Sequence, residues 1–319
     1  MAVYTDIDDV TLAALLADYD LGPAISFKGI AEGVENSNFL LETRAGRYIL
    51  TVFEKRARPE DLPFFMGMMR HLAGKGFPAP LPVPARDGGA LRNLNGKTAV
   101  IVTFLQGMSP RRPTVAQCRV FGEGLARFHS ALSDFRMRRP NDLSLAAWPV
   151  LFAGRERDAD RLMPGLSMQI ANDLAELGAA WPKNLPGGAI HADLFPDNTF
   201  FLDGRLSGVF DFYFACTDFL AYDIAVCLNA WAFETRGEYN LTKGRALLLG
   251  YESHRRLERR ERDAIPILAR GTAMRFFLTR LIDWTNTPAD ALVRPHNPMD
   301  YAERLGFHRQ ARGVEDYGG

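Results

Sequence analysis

The sequence pattern of this 319-residue chain changes near residue 105. Before that point, short β-prone runs alternate with turn residues and enclose one helical segment that opens at Pro59. After it, long stretches with helical spacing predominate, with one β-prone interruption over residues 199–210. The pattern predicts an α+β protein with an antiparallel sheet lobe containing one main helix (1–105) and a mostly helical lobe (106–319).

The first lobe should begin with an amphipathic helix over residues 5–20, for which Thr5 is the predicted cap. The other predicted elements are strands at 24–28, 38–43, 47–53, 90–94 and 98–104, and helices at 115–132, within 153–180, and at 224–233, 241–258 and 264–284. A sheet lobe joined to a helical lobe predicts a cleft between them, where ligand sites gather.

Charge and cysteine content exclude several classes of partner. Lys plus Arg and Asp plus Glu both number 38, so the net charge is zero and favours neither nucleic acid nor an anionic membrane. The three cysteines form no Cys-x-x-Cys pair, which predicts reduced thiols. The sequence shows no signal peptide and no long apolar run, so we expect a cytoplasmic protein with no implied protein partner.

The strongest functional motif is His-x-Asp-x4-Asn, formed by His191, Asp193 and Asn198, and followed by Asp211. Asp203-Gly204 predicts a hairpin turn that carries Asp211 back beside Asn198. Phosphoryl transfer needs one group to orient the acceptor hydroxyl, and hard oxygen ligands for Mg²⁺. The motif therefore predicts Asp193 as the group that takes the hydroxyl proton, with Asn198 and Asp211 as catalytic metal ligands. His191 is more simply a brace for the loop.

Two further segments are candidate contacts for ATP. Between two predicted strands, glycines would let the backbone approach phosphate oxygens. At the junction of the lobes, an extended segment offers backbone groups to an adenine edge. The predicted ATP-binding residues are Lys28, Gly29, Gly33, Asn36, Ser37 and Asn38 in the first segment, and Thr103 and Leu105 in the second.

These residues resemble a known family. The segment from His191 to Asn198 resembles the catalytic loop of the aminoglycoside phosphotransferase and choline kinase superfamily. Leu125 to Ser130 is similar to its Leu-Ala-x-Leu-His helix, and Tyr222 to Ala225 to its Asp-Leu-Ala segment. The resemblance implies a protein-kinase-like two-lobe fold, and it implies that Asp223 ties down the catalytic loop.

Within that superfamily, the chain is most similar to the bacterial homoserine kinases that have this fold. The stretches that carry this similarity are Glu32–Phe39, Tyr48–Lys55, Phe212–Asp218, Cys227–Trp231 and Arg275–Trp284. The similarity implies ATP and Mg²⁺ as cofactors, L-homoserine as the small-molecule substrate, O-phospho-L-homoserine as the product, and a step in threonine biosynthesis.

The chain departs from the kinase pattern at one position. A kinase sheet normally supplies a lysine from its third strand to the ATP phosphates, paired with a glutamate on the first-lobe helix. Thr51 stands at that position here, so Glu60 has no assured partner. Lys28 is the substitute that we favour, and Lys55 is a poorer one.

Two alternatives stay open from the residues. In the first, the chain is another small-molecule kinase of the same superfamily, and its acceptor is choline, ethanolamine, a sugar or an aminoglycoside. In the second, the chain is a catalytically silent nucleotide-binding protein. The balanced charge does not favour a polycationic antibiotic as the acceptor. Residues that suit an amino-acid acceptor are Arg275, Arg280, Asp283 and Glu234.

Overall fold

The computed structural model describes residues 5–30, 36–54, 58–288 and 295–319, and these fall into two compact units. The first unit comprises residues 1–107 and 207–213, and the second comprises residues 108–206 and 214–319. The predicted helix at 5–20 is shorter than expected, because α1 runs from Asp9 to Leu16. Its cap is Asp8, which accepts a hydrogen bond from Thr11 N–H at 2.7 Å. The predicted Thr5 cap is therefore wrong.

The first unit is built on a five-stranded antiparallel sheet of order β1-β2-β3-β5-β4. Its strands are β1 (Ala24–Ile30), β2 (Ser37–Thr43), β3 (Gly46–Val52), β4 (Leu91–Leu94) and β5 (Lys97–Thr103), and its main helix is α2 (Leu62–Gly74). Apolar residues of α1 pack on one sheet face, in a core with Phe39, Leu50 and Ala99. The predicted sheet with one main helix is confirmed.

The segment from Ser207 to Tyr213 belongs to the first unit, although the sequence assigns it to the second lobe. Val209 N–H donates to Pro78 O at 2.8 Å, and Ser207 Oγ donates to Gln106 O at 2.7 Å. The ring of Tyr213 packs edge-on against Phe53, with centroids 5.0 Å apart. These contacts hold the segment on the sheet unit, and linear sequence does not reveal them.

The second unit is mostly helical, as predicted. Its helices are α3 (Val115–Ala131), α4 (Trp148–Phe152), α5 (Glu156–Leu162), α6 (Leu166–Ala180), α7 (Leu220–Trp231), α8 (Leu241–Glu252), α9 (Arg259–Asn286) and α10 (Met299–His308). Two small sheets interrupt the helices along the chain. One pairs β6 (Gly187–Ile190) with β9 (Cys216–Phe219), and the other is the predicted hairpin of β7 (Thr199–Leu202) with β8 (Arg205–Val209), whose residues from Ser207 onward belong to the first unit. The pairing of β6 with β9 was not predicted.

Candidate active site

The loop that follows β6 brings two of the predicted catalytic residues into contact. Asn198 lies in a short 3-10 turn and donates from Nδ2 to Asp193 O at 2.8 Å and to Asp193 Oδ2 at 3.3 Å. Because the amide nitrogen of Asn198 is used for these bonds, its Oδ1 is turned away from Asp193. Oxygen is the atom that a magnesium ligand must present, so Asn198 can hold Asp193 and bind a metal ion at the same time.

A buried carboxylate on α7 holds the backbone at the start of this loop. Asp223 accepts hydrogen bonds from His191 N–H at 2.9 Å and from Ala192 N–H at 2.7 Å. His129 Nε2 lies 3.2 Å from the same carboxylate, and His129 Nδ1 lies 2.8 Å from Tyr251 Oη. These contacts confirm the prediction that Asp223 ties down the loop.

The surroundings of Asp223 keep it charged. Burial by itself raises the pKa of this carboxyl. The hydrogen bond from His129, the charge of His129 and the backbone donor at His191 together lower the pKa below its usual value. The brace is needed because Ala192 has φ of +64°, a left-handed conformation that is unfavourable for a residue with a β-carbon. The side chain of His191 is fully buried, which agrees with a bracing role.

Asp211 lies just after β8 in the first unit, whereas Asp193 and Asn198 belong to the second unit. It is exposed and has a left-handed backbone with φ of +65°. Burial and the negative charge of Asp211 both raise the pKa of Tyr213. No group of three or more His, Cys, Asp or Glu side chains suited to a metal ion occurs in the described part of the chain. Mg²⁺ in kinase sites usually keeps several waters and is bound by one or two protein ligands together with substrate phosphates.

The predicted phosphate segment is only partly described. Gly33 and Lys55 lie outside the described residues. The side chains of Asn36, Ser37 and Asn38 make contacts within the sheet unit: Asn36 Oδ1 accepts from Glu54 N–H at 3.3 Å, Ser37 Oγ donates to Glu54 at 2.7 Å, and Asn38 Oδ1 accepts from Thr51 Oγ1 at 2.7 Å. These contacts use the side-chain oxygens of the three residues, whereas phosphate oxygens need donors, such as a backbone N–H or the Nδ2 group of Asn36 or Asn38.

The register of the sheet decides which lysine shares a face with Thr51. Lys28 pairs with Leu40, and Asn38 pairs with Thr51, so Lys28 and Thr51 lie on the same face of the sheet. Lys28 and Gly29 are exposed at the end of β1. Lys97 lies on the opposite face and is bonded to Glu54 and Thr5. This partly buried cluster, which the sequence analysis missed, anchors the segment before α1.

The predicted adenine contacts at the end of β5 are held against a proline-rich segment. Thr103 N–H donates to Leu81 O at 3.0 Å, and Thr103 Oγ1 accepts from Leu81 N–H at 2.9 Å. Leu105 is half-buried. Because the N–H of Thr103 is already used, its C=O and the backbone groups of Leu105 are the better candidates for an adenine edge.

The candidate acceptor residues have different surroundings. Glu234 pairs with Lys243 at 2.6 Å, and Arg280 pairs with Asp300 at 2.9 Å. Arg275 is 2% exposed and lies against the catalytic loop, with Nη2 3.6 Å from Asp193 Oδ1. Arg275 is therefore part of the support of the loop, and the sequence motif alone gave no signal of that.

No described helix combines the length and the apolar character that crossing a membrane requires.

Comparison with known proteins identifies relatives over the whole length of the chain. The family model described as "Phosphotransferase enzyme family" matches residues 26–258. A homoserine kinase from Hyphomonas neptunium is 58% identical over 327 residues, which cover 100% of both chains. Homoserine kinases from Xanthobacter autotrophicus and Caulobacter sp. are 58% and 59% identical, and the matches cover 100% and 97% of this chain and 99% and 97% of theirs.

Solved structures show the same fold at lower sequence identity. A microcompartment-associated aminopropanol kinase has a TM-score of 0.72 and 19% identity, with 97% of this chain and 99% of that chain covered. An amicoumacin kinase solved with AMP-PNP and Ca²⁺ has a TM-score of 0.69 and 16% identity, with 98% and 94% covered. The predicted protein-kinase-like fold is confirmed.

Proposed function

Because the chain belongs to the phosphotransferase enzyme family and its full-length relatives are homoserine kinases, we propose that it transfers the γ-phosphate of ATP to the hydroxyl of L-homoserine. The product is O-phospho-L-homoserine, an intermediate of threonine biosynthesis. The main structural support for the proposal is the geometry of the catalytic loop, in which Asn198 holds both the backbone and the carboxylate of Asp193.

Asp193 is the residue that we assign to the acceptor hydroxyl. Its carboxylate orients the hydroxyl for in-line attack on the γ-phosphorus and takes the proton as the new O–P bond forms and the bond to ADP breaks. Phosphoryl transfer depends on position and charge neutralisation more than on covalent chemistry by the protein. A loop fixed at Ala192 and Asn198 meets the requirement for position.

We assign ATP binding to the lobe of residues 1–105, and catalysis and substrate binding to the lobe of residues 106–319 apart from residues 207–213, which belong to the first unit. The ATP phosphates lie at the segment from Gly29 to Asn38, which includes Gly33, and Lys28 supplies the cation that Thr51 does not. This assignment is supported by the shared sheet face of Lys28 and Thr51. Thr103 and Leu105 offer backbone groups to adenine.

Asn198 and Asp211 are the residues that we propose to hold Mg²⁺. When bound, the ion neutralises charge on the phosphate oxygens. The fit is supported by the direction of the Asn198 amide, whose nitrogen is used on Asp193 and whose oxygen remains for a metal ion. Asp211 supplies the charged oxygen of the pair.

The choice of homoserine over choline, a sugar or an aminoglycoside is supported by the shared name of relatives at 58–59% identity. A cytoplasmic location follows from the use of ATP as the phosphate donor. The reaction then uses ATP, Mg²⁺ and one small amino acid.

A direct test is ADP release by the purified protein with Mg-ATP and a panel of acceptors. We expect the highest kcat/KM with L-homoserine, and much lower values with L-serine, L-threonine, choline, ethanolamine and kanamycin. A preference for another acceptor would keep the phosphotransferase assignment and reject homoserine.

A further inference from the structure

A buried guanidinium lies directly behind the proposed catalytic carboxylate. Among the described residues, Arg275 is the one arginine that is more than nine-tenths buried, and it lies inside the long helix α9. A buried cation costs several kcal/mol unless charge and hydrogen bonds compensate it. Its contacts therefore indicate what it is there to do.

The guanidinium interacts electrostatically with the Tyr222 hydroxyl, and its other polar contacts are with two consecutive residues of the catalytic loop. Nη1 donates to Ala192 O, and Nη2 lies 3.6 Å from Asp193 Oδ1. The remaining surface of the group packs against the rings of Phe276 and Phe214, whose centroids lie 4.5 and 5.2 Å from Cζ. The Nε atom has no hydrogen-bond partner. The arginine is thus buried with incomplete compensation, and its polar groups face the loop.

Ala192 is consequently held on both sides. Its N–H donates to Asp223 and its C=O accepts from Arg275. A non-glycine residue at φ of +64° persists only when its surroundings fix it. Since Ala192 directly precedes Asp193, the two contacts fix the direction in which the chain enters the catalytic residue.

The carboxylate of Asp193 also has a positively polarised group beside each oxygen. Asn198 Nδ2 lies 3.3 Å from Oδ2, and Arg275 Nη2 lies 3.6 Å from Oδ1. At 3.6 Å, the arginine attracts the carboxylate by charge without a tight hydrogen bond. Such a contact limits rotation of the Asp193 side chain.

From this geometry we propose that Arg275 is a positioning residue for Asp193, and that it sets kcat while making no contact with either substrate. The proposal rests on the proposed kinase function. It differs from the expectation that Arg275 binds the carboxylate of the acceptor. A positioning residue should lower kcat when it is removed, whereas an acceptor ligand should mainly raise the KM for homoserine.

The test compares Arg275→Met with Arg270→Met. Arg270 lies on the same helix and is largely buried, but its partners are Asp173 and Glu176, not the loop. We expect Arg275→Met to lower kcat about 100-fold, because misplacing a catalytic group by about 1 Å costs about that much. Both KM values should stay within about twofold. Arg270→Met should lower the melting temperature and leave kcat within about twofold of the wild type.

Three results would overturn the proposal: an unchanged kcat in Arg275→Met, a raised homoserine KM at constant kcat, or an equal loss of kcat in Arg270→Met. If Arg275→Met does not fold, Arg275→Lys replaces it. That variant keeps the charge but loses the planar fork, so its kcat should still fall at least about tenfold. An unchanged kcat in Arg275→Lys would show that positioning of Asp193 does not require the guanidinium, and would overturn the proposal.

Amide hydrogen exchange tests the role of Arg275 in a way that does not depend on which substrate the enzyme uses. Amides of residues 188–194 should exchange faster in Arg275→Met than in the wild type or in Arg270→Met, with no ligand present. Unchanged exchange would reject the proposal even if the acceptor is not homoserine. Faster exchange in an enzyme that ignores homoserine would reject only the substrate.

Discussion

The carboxylate of Asp223 accepts a hydrogen bond from the backbone N–H of Ala192 at 2.7 Å, one residue before the proposed catalytic Asp193. The same carboxylate also faces His191 N–H and His129 Nε2. Three donors therefore converge on one buried negative charge. An asparagine at position 223 has one acceptor oxygen, and its NH₂ group would face a donor.

Asp223→Asn should consequently lower kcat about 100-fold and the free energy of unfolding by about 3 to 5 kcal/mol. Steady-state kinetics and urea unfolding measure the two effects. Asp173→Asn is the matched control, since Asp173 is also buried but pairs with Arg270 and Arg309 away from the loop. It should lose stability without losing kcat below its melting temperature. Equal kcat losses in the two variants would contradict the role of Asp223 in the loop.

Lys28→Ala should raise the KM for ATP about tenfold, which corresponds to about 1.4 kcal/mol, and leave the KM for homoserine unchanged. The reason is the position of Lys28 on the sheet face that carries Thr51. Lys97→Ala is the control, because Lys97 lies on the opposite face with Glu54 and Thr5. It should cost about 1 kcal/mol of stability or less and leave both KM values unchanged. An unchanged KM for ATP in Lys28→Ala would remove Lys28 from the site.

How much of this arrangement the sequence predicts depends on the range of the contacts. The strands of the first sheet and the β7–β8 hairpin follow from local alternation and from the turn at Asp203-Gly204. The pairing of β6 with β9 joins residues that are distant in the sequence, such as Ile190 and Cys216. Because each strand is only four residues long, no local pattern reveals this pairing. The α10 helix lies outside the predicted elements for a different reason, because its buried residues Tyr301, Leu305 and His308 do have local helical spacing.

The candidate site also contains residues that local spacing predicts and residues that only folding brings together. Asp193 and Asn198 were predicted because their spacing is local, and the structure brings them together. Arg275 lies 82 residues beyond Asp193 in the sequence, and only folding brings its guanidinium to the loop. A threonine before acidic residues is typical of a helix cap, so the sequence favours Thr5, but the Thr5 hydroxyl is bonded to Glu54 instead.

Gly122→Ala should lower the free energy of unfolding by about 3 kcal/mol or more, since α3 and α8 cross in close contact at this point. A β-carbon at Gly122 would lie 2.1 Å from Leu247 O, and a backbone atom cannot move aside as a side chain can. Gly178→Ala in α6 is the control, because no atom lies within 4 Å of the added carbon. It should be neutral or stabilise by up to about 1 kcal/mol. Urea unfolding of both variants checks this, and equal stabilities would contradict the close contact.

Acid should destabilise the protein through His308. Burial, with Arg304 and Arg270 nearby, lowers its pKa to about 3. Asn229 Oδ1 accepts from Nε2 at 2.9 Å, so Nδ1 is the acceptor for Tyr317 Oη–H at 2.7 Å, and the ring is neutral. Because the unfolded chain binds the proton below pH 6.5 and the folded chain does not, the stability from this group is complete above pH 6.5 and is lost towards pH 3.

The titration of His308 should therefore lower the free energy of unfolding by about 2 kcal/mol as the pH falls from 7.5 to 5.0. Urea unfolding at the two pH values, with His308→Gln as the non-titrating variant, measures it. Glutamine keeps a donor and an acceptor but takes up no proton, so the loss should be about 2 kcal/mol smaller in the variant. The same pH dependence in both proteins would show that His308 does not titrate in this way.

Phosphate transfer to L-homoserine through Asp193 is measured by ³¹P NMR of the reaction products. Wild-type protein and Asp193→Ala are each incubated with Mg-ATP and L-homoserine, and AMP-PNP binding is measured on both. We predict a phosphomonoester resonance of O-phospho-L-homoserine with the wild type, a rate at least about 1000-fold lower with Asp193→Ala, and similar AMP-PNP affinity in the two. Absence of the product with the wild type, or its formation at an equal rate by Asp193→Ala, would contradict the account.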